Sequence, residues 1–292
     1  MAQVHAVVRF EQTNLDEIGL KDRLQALYLC YNKRKYVEPD PLQFLYRFKD
    51  KKEREVAGLI CASLAFGRVY QIIKAISICL EKMDMQPRAF LLAHEPSDIE
   101  AIFSDFSYRF VKAREMACFL TGIKIIIERY GSLEEAFSLD RPKSRGLPVE
   151  VADRLCAFVG KIMEASGIER SYLLPDPMKK SACKRLFLFL RWMVRNDGVD
   201  PGGWRCLEPR DLLVPLDTHM FNISKTLGLT SRKQPGLATA IEITRGFSRI
   251  CPEDPVRYDF VLTRFGIREE LSLRELSSIL KLDKGQIPRR AS

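Results

Sequence analysis

The sequence predicts a nearly all-α protein with ten or more helices, and two observations support this fold class. Long apolar patterns with helical spacing and without proline run over residues 53–83 and 108–130. Helix-start signals, in which a Ser is followed three positions later by a Glu, occur at Ser97, Ser132 and Ser272. Because the alternating pattern of β-strands is scarce, we expect helices to form almost all of the core.

The helical pattern is interrupted in several places. Residues 138–149 read as a polar loop, and residues 196–210 are rich in Gly and Pro, where we predict a hinge. Gly67 lies inside a helical pattern and indicates a kink or a close approach of two backbones. Arg68 and Gln71 beside it are candidates for entering a nucleic-acid groove or, alternatively, for capping the break.

The composition favours a polyanionic partner. The 292 residues carry a net charge of +9 and a pI near 9.1, which concerns association and not fold. The eight cysteines are scattered without a C-x-x-C spacing or a Cys/His cluster, so we expect no metal and no cofactor. This cysteine pattern, the lack of a signal-peptide layout and the lack of an apolar run of ~20 residues predict a cytoplasmic protein without a membrane segment.

Asp217 is the first candidate for chemistry. It follows the apolar pair Pro215-Leu216 and precedes an amphipathic stretch that is closed by Gly228. This pattern predicts that Asp217 caps the N-terminus of a helix, which fixes its carboxylate at the helix start. The alternative is that Asp217 is only a cap, worth roughly 1 kcal/mol. His219 in the same turn is expected to be a hydrogen-bonding partner and not a metal ligand.

Residues 179–195 hold six basic residues and no acidic one. On a helix, Lys184, Arg191 and Arg195 share one face, and apolar side chains cover most of the rest. Lys184 lies in the first turn, where the helix dipole attracts phosphate, so it is a candidate amine nucleophile. The alternative is that the two arginines are internal ion-pair partners and that Lys184 is an ordinary surface residue.

Two segments resemble the helix–hairpin–helix DNA glycosylases of the endonuclease III class. The run P-L-D-T-H resembles the catalytic-aspartate segment of that family, and S-A-C-K-R-L-F-L-F-L-R-W-M-V-R resembles the helix that begins with the nucleophilic lysine. The resemblance assigns these roles to Asp217 and Lys184, and the groove-inserting role to Arg68 or Gln71. More closely, the chain resembles an uncharacterised family of bacterial conserved hypothetical proteins over most of residues 38–267, related to archaeal 8-oxoguanine DNA glycosylases.

The chain departs from the glycosylase pattern at three points. The family's hairpin reads L-P-G-x-G before the lysine, whereas this chain reads P-D-P-M-K-K-S-A, without a glycine. Lys179 and Lys180 would supply positive charge in place of the backbone amides of the glycines. The four-cysteine iron–sulfur loop is absent, and 33 positions separate Lys184 from Asp217, more than in endonuclease III.

The resemblance implies two helical subdomains around a central cleft. The expected central subdomain spans residues 51–205. The second would combine residues 1–50 with residues 206–282, because chains of the family begin and end in the same subdomain. Residues 283–292 are predicted to be a disordered tail.

The resemblance also implies excision of a damaged base, with an oxidised purine as the candidate lesion, and strand cleavage if Lys184 forms a Schiff base. The base would be flipped from the duplex into the cleft. Trp192 or Trp204 would stack on the base there, unless the tryptophan itself is buried in the core. The expected partner is double-stranded DNA, and the expected state is a monomer associated with the nucleoid. The predicted DNA contacts are Lys179, Lys180, Arg185, Arg191, Arg195, Arg68, Gln71 and His219.

Two other functions stay open. One is a non-catalytic DNA- or RNA-binding protein that retains the glycosylase fold, and the missing hairpin glycines favour it. The other is an all-α scaffold for protein partners, which predicts no salt-dependent DNA binding.

Overall fold

A computed structural model describes residues 19–139, 149–175, 181–268 and 270–280. Lys179, Lys180 and the predicted tail lie outside these ranges, as does most of the predicted loop at 138–149. The described ranges contain thirteen α-helices: α1 Leu20–Tyr31, α2 Lys51–Leu64, α3 Val69–Glu81, α4 Pro87–Ala93, α5 Pro96–Ile102, α6 Ala113–Tyr130, α7 Leu133–Ser138, α8 Val149–Ser166, α9 Lys184–Val194, α10 Thr218–Thr226, α11 Leu237–Ile250, α12 Asp259–Ile267 and α13 Leu273–Leu280. The all-α prediction is confirmed.

The remaining regular structure is short. In the part of the chain that the structure describes, three 3₁₀ turns cover Arg34–Tyr36, Pro41–Arg47 and Pro209–Asp211. One antiparallel hairpin joins β1, Ser107–Tyr108, to β2, Val111–Lys112. In the described ranges, none of the helices combines the length and the apolar composition that crossing a bilayer requires.

Two of the three predicted helix starts are confirmed. The Ser132 hydroxyl accepts the Glu135 N–H, and Ser272 and Glu275 form a reciprocal capping box. The third prediction is wrong, since α5 begins one residue before Ser97, at Pro96, with Glu95 as its N-cap. Proline suits the first helical position because it lacks the N–H that would stay unpaired there.

Helix α2 is the central element of the first set of helices, which also includes α4 and α6 to α9. Its residues from Glu55 to Leu64 are all buried. Gly58 lets α9 approach closely, because a Cβ there would lie 3.3 Å from Met193 Sδ and 3.4 Å from the Phe189 ring. Helix α6 packs along α8, and a second set is formed by α1, α10, α12 and α13. The division into subdomains stays a prediction.

A buried carboxylate near the N-terminus of α2 connects this helix to the start of α7. Glu55 accepts the N–H groups of Leu133 and Glu134 at the start of α7, at 2.7 and 3.1 Å. It also accepts the indole N–H of Trp204 at 2.8 Å. The negative charge therefore faces the positive end of the α7 dipole, which stabilises the helix.

The structure records the eight cysteines as free thiols. Four of them are buried: Cys61, Cys79, Cys183 and Cys251. Burial raises the pKa of the Cys61 and Cys79 thiols, which lie on α2 and α3. These two therefore behave as small apolar side chains, as the sequence indicates.

The basic face of α9 is buried and not exposed. Arg191 and Arg195 each expose 3% of their surface. Asp200 lies between them and pairs with both guanidinium groups. The other carboxylates of this network come from the loop after α9, from the turn between α11 and α12 and from the start of α12: Asp197, Asp254 and Asp259. The prediction that Arg191 and Arg195 contact DNA phosphate is wrong, because protein carboxylates enclose them; the ion-pair alternative is correct.

The Gly/Pro-rich segment is held in place and is not a hinge. Its Asp197 accepts the Tyr28 hydroxyl of α1 at 2.9 Å, and its Val199 carbonyl accepts the Tyr46 hydroxyl at 2.6 Å. The carbonyl of Gly202 accepts a hydrogen bond from Arg54 of α2. The glycines in this segment serve tight turns around the buried network and not mobility.

We predict that Asp200→Asn destabilises the fold by about 3–5 kcal/mol, because it leaves two buried guanidinium groups without their shared carboxylate. The free energy of unfolding from denaturant titration measures this change. Arg210→Ala is the matched control, since Arg210 forms an exposed pair with Glu208 and exposed pairs contribute roughly 0–1 kcal/mol. Equal losses in the two variants would contradict a structural role for the network.

Candidate active site

The structure brings Asp217 and Lys184 into direct contact. Their Oδ2 and Nζ atoms lie 2.9 Å apart. Asp217 is the N-cap of α10, as the sequence predicts, and its Oδ1 accepts the Met220 N–H at 2.8 Å. One carboxylate oxygen therefore fixes the helix start, and the other faces the lysine.

Lys184 is the first residue of α9, where the sequence predicts it. The preceding Cys183 has φ of 45° and turns the chain sharply into the helix. The apolar run from Leu212 to Leu216 is buried and leads directly into Asp217. It therefore fixes the start of α10 beside the start of α9. The Lys184 side chain is 38% exposed and that of Asp217 is 16% exposed, so a large ligand can reach both.

Asp217 is negatively charged at neutral pH. Burial alone would raise the pKa of its carboxyl, but the charge of Lys184, the Met220 N–H and the nearby His219 lower it overall. Asp217 therefore faces the Lys184 side chain as a carboxylate.

Asp259, at the first position of α12, is the acidic residue of this site that sequence reasoning missed. It is buried and pairs through Oδ2 with Arg191, while its Oδ1 has no hydrogen-bond partner among the described residues. Burial raises the pKa of Asp259 to about 6, with Asp217 adding to this rise and Arg191 and Lys184 opposing it. The sequence gives no sign that Asp259 lies within electrostatic reach of Asp217.

His219 is a packing residue of α10. Its ring lies against Gly266 of α12, where a Cβ would overlap the imidazole. The described residues contain no group of three or more His, Cys, Asp or Glu side chains that could hold a metal ion.

An open depression of about 400 Å³ surrounds the ion pair. Pro175, Leu216 and Pro235 provide apolar walls, and Thr218 adds a hydroxyl. An apolar wall beside a fixed carboxylate can exclude water from a bound ligand and strengthen the electrostatic interactions there. The arrangement suits attack by an amine or stabilisation of a developing positive charge.

Three other predicted site residues are engaged elsewhere. The donors of Arg185 are directed to the carbonyls of Ser63, Tyr172 and Leu173, which makes it a connector and not a free cation. Trp192 is fully buried and Trp204 is 3% exposed, so neither can stack on a base.

Arg68 and Gln71 are exposed around the start of α3. Gly67 has φ of 108°, and a Cβ there would lie 2.5 Å from Nη1 of Arg109 at the tip of the β1–β2 hairpin. These neighbouring atoms belong to side chains, so the structure does not show the predicted close approach of two backbones; Gly67 lies instead in the break between α2 and α3, as the alternative of a kink predicts. A groove-inserting role for Arg68 or Gln71 stays a prediction.

A second depression, of about 510 Å³, contains exposed cations that the sequence did not single out. Arg245 and Arg249 lie one turn apart on α11 and form no ion pair within the described ranges, while the neighbouring Arg232 pairs with Glu242 at 2.6 Å. Arg232 of this depression and Pro235 of the depression around the ion pair belong to the same loop between α10 and α11. In the sequence, R-G-F-S-R at residues 245–249 places two arginines four positions apart, a spacing that puts both on one face of a helix.

A search of curated proteins and a search of solved structures each find no match. A family model described as a protein of unknown function, DUF2400, matches residues 40–268. The match includes Lys184, Asp217, Asp259 and both depressions. Since it covers most of the sequence, the chain belongs to the DUF2400 family.

Proposed function

We propose that this chain is a DNA glycosylase that removes a damaged base, with Lys184 and Asp217 as its catalytic residues. The contact of 2.9 Å between Lys184 Nζ and Asp217 Oδ2 carries the proposal. Two residues that are 33 positions apart meet at the start of two helices, beside an open depression. The two sets of helices would then be the two subdomains of the glycosylase arrangement.

The reaction requires a proton to leave Lys184, because an ammonium has no free electron pair. Asp217 is the acceptor at hydrogen-bond distance. DNA that covers the depression would remove water from the pair, and desolvation favours the neutral amine and carboxylic acid over the two charges. The proton would therefore move from Nζ to Oδ2 when the substrate binds.

The neutral amine would then attack C1′ of the damaged nucleotide. The N–C1′ bond forms while the glycosidic bond breaks, and the electron pair of that bond leaves with the base. The proton on Asp217 passes to the departing base, and the restored carboxylate stabilises positive charge on the sugar. The nitrogen attached to C1′ then gives a proton to the ring oxygen while the bond from C1′ to that oxygen breaks, and the resulting C1′=N bond is a Schiff base to Lys184. The lesion class to test first is an oxidised purine.

DNA binding would use the exposed arginines of α11 in place of the buried arginines of α9. Arg245 and Arg249 are exposed and could contact phosphate, and one loop contributes Arg232 to their depression and Pro235 to that of the ion pair. A strand lying across both would meet phosphate-binding cations on one side and the catalytic pair on the other.

A non-catalytic DNA-binding protein is the second candidate function. The observation that favours it is the ion pair itself. An ion pair between a lysine of α9 and the capping aspartate of α10 can also serve only to hold the two helices together. The predictions below distinguish the two functions.

We predict that Asp217→Asn keeps the fold and DNA affinity but abolishes base release. Asn caps helices about as well as Asp, with a difference of a few tenths of a kcal/mol, but it cannot accept the lysine proton or supply negative charge. Release of a damaged base from a labelled duplex measures activity. Equal release by both proteins, on a duplex that the parent chain processes, would reduce Asp217 to a cap.

We predict that borohydride traps a covalent complex between the parent chain and lesion-bearing DNA, and that Lys184→Gln loses it. Borohydride delivers hydride to the C1′ carbon of the Schiff base, and Gln removes the amine while keeping the side-chain length. Lys225→Gln on α10 is the matched control, because this lysine is exposed and apart from the depression. Undiminished trapping in Lys184→Gln would move the nucleophile to another lysine, with Lys179 and Lys180 tested next. Base release without trapping would indicate a glycosylase that uses water.

We predict that changing Arg245 and Arg249 together to Ala lowers the salt dependence of duplex affinity. Each lost phosphate contact reduces the slope of log K against log salt concentration by about 0.9, so the pair should reduce it by about 1.8. Changing Arg129 and Arg210 to Ala removes the same charge from other exposed positions and should leave the slope nearly unchanged. Identical slopes in both double variants would exclude a specific contact by α11.

A further inference from the structure

Two aromatic rings stack on the surface instead of in the core. Phe110 is 58% exposed and Tyr172 is 57% exposed. Their centroids lie 5.2 Å apart and their planes are inclined by 29°, so the rings lie nearly face to face. We call this pair the aromatic platform. Large apolar rings left in water mark a binding surface when they are grouped in this way.

Hydrogen bonds fix the backbone of the platform at Tyr172. The backbone N–H of Tyr172 donates to Glu115 Oε1 at 2.6 Å, and its carbonyl accepts Arg185 Nη2 at 2.6 Å. The Ser171 hydroxyl donates to the same Glu115 oxygen at 2.7 Å. Phe110 lies at the tip of the hairpin between β1 and β2. A ligand that stacks on the rings therefore orders little additional chain, which reduces the entropic cost of binding.

The surroundings of the platform are basic. The guanidinium group of Arg109 lies over the Phe110 ring, with 5.6 Å between its Cζ and the ring centroid. Lys112, Arg114 and Arg170 are exposed nearby in sequence, against one exposed acid, Glu169, whereas the carboxylate of Glu115 is occupied by the Tyr172 loop. Flat rings with cations beside them fit a ligand that is aromatic and anionic, which is the chemistry of an unpaired nucleotide.

The platform is close to the proposed catalytic pair. Tyr172 is three residues from Pro175, which lines the depression around Lys184 and Asp217, so the backbone between them spans at most about 10 Å. This equals about three base steps at about 3.4 Å each. Arg185 also connects the two, since it follows Lys184 and binds the Tyr172 carbonyl.

We propose that the aromatic platform of Phe110 and Tyr172 stacks on an unpaired base of a DNA strand whose neighbouring nucleotides reach the Lys184–Asp217 depression. The direction of the strand toward that depression rests on the proposed function. Stacking on an unpaired base does not rest on it, so the two can fail separately.

The test uses the full chain and a single-stranded oligonucleotide that carries the fluorescent base 2-aminopurine. Stacking on a ring quenches this fluorescence. We expect Phe110→Leu and Tyr172→Leu each to weaken single-strand affinity at least about fivefold and to reduce the quenching, because one base stacked on one ring carries about that much binding. Phe110→Tyr and Tyr172→Phe keep the rings and should bind and quench like the parent chain.

Leu29→Ala is the matched control, since it removes an exposed apolar side chain from α1, in the other set of helices. It should change neither affinity nor quenching. Unchanged quenching in the two leucine variants would overturn the platform, and so would equal losses in the ring-keeping variants. Ring-dependent quenching by a chain that releases no base from any lesion duplex would support the platform and reject the proposed function.

Discussion

The placement of the candidate site depends on the buried ion network at the end of α9. Arg191 and Arg195 fix this helix against the loop that contains Asp200 and against the start of α12. Helix α12 in turn packs on α10, where the His219 ring lies against Gly266. Lys184 and Asp217 are the first residue and the N-cap of two helices that are held through this network. The contact between Lys184 and Asp217 therefore depends on the buried ion pairs that hold these helices.

The network also sets the charges at the site. Burial alone would lower the pKa of both guanidinium groups, but the surrounding carboxylates raise it, so both arginines stay charged. Asp259 belongs to the network and lies within electrostatic reach of Asp217. The negative charge of Asp217 adds to the rise in the pKa of Asp259, and the positive charge of Lys184 opposes that rise. A ligand that covers the depression removes the water that stabilises the exposed side of the Lys184–Asp217 ion pair. Binding of such a ligand therefore changes the balance of charges at the site.

Local patterns in the sequence predicted local structure well. The all-α fold, the cap at Asp217, the position of Lys184 at a helix start and the break at Gly67 all follow from spacing and residue type over a few positions. The joining of Lys184 to Asp217 was an expectation from resemblance, since no local pattern determines which helix starts meet.

The sequence failed where the answer depended on long-range partners. A stripe of Lys and Arg without a nearby acid reads as a DNA-binding surface, but the carboxylates that neutralise Arg191 and Arg195 include two from more than fifty positions away, Asp254 and Asp259. The Gly/Pro-rich segment reads as a hinge for the same reason, since Tyr28, Tyr46 and Arg54 hold it from distant parts of the chain. The aromatic platform depends on the packing of a hairpin beside a loop, and neither Phe110 nor Tyr172 stands out in its own sequence.

The buried thiols give the chain its own reporters of unfolding. Cys61 lies on α2, Cys79 lies on α3, and Cys251 lies at the end of α11, where burial raises its pKa to about 11. A thiol reagent reacts with the ionised and accessible form, so it reaches these sulfurs only when the surrounding helices open. The order in which the three thiols become labelled in increasing denaturant therefore records whether α2, α3 and the end of α11 open together or one before another, without any engineered probe.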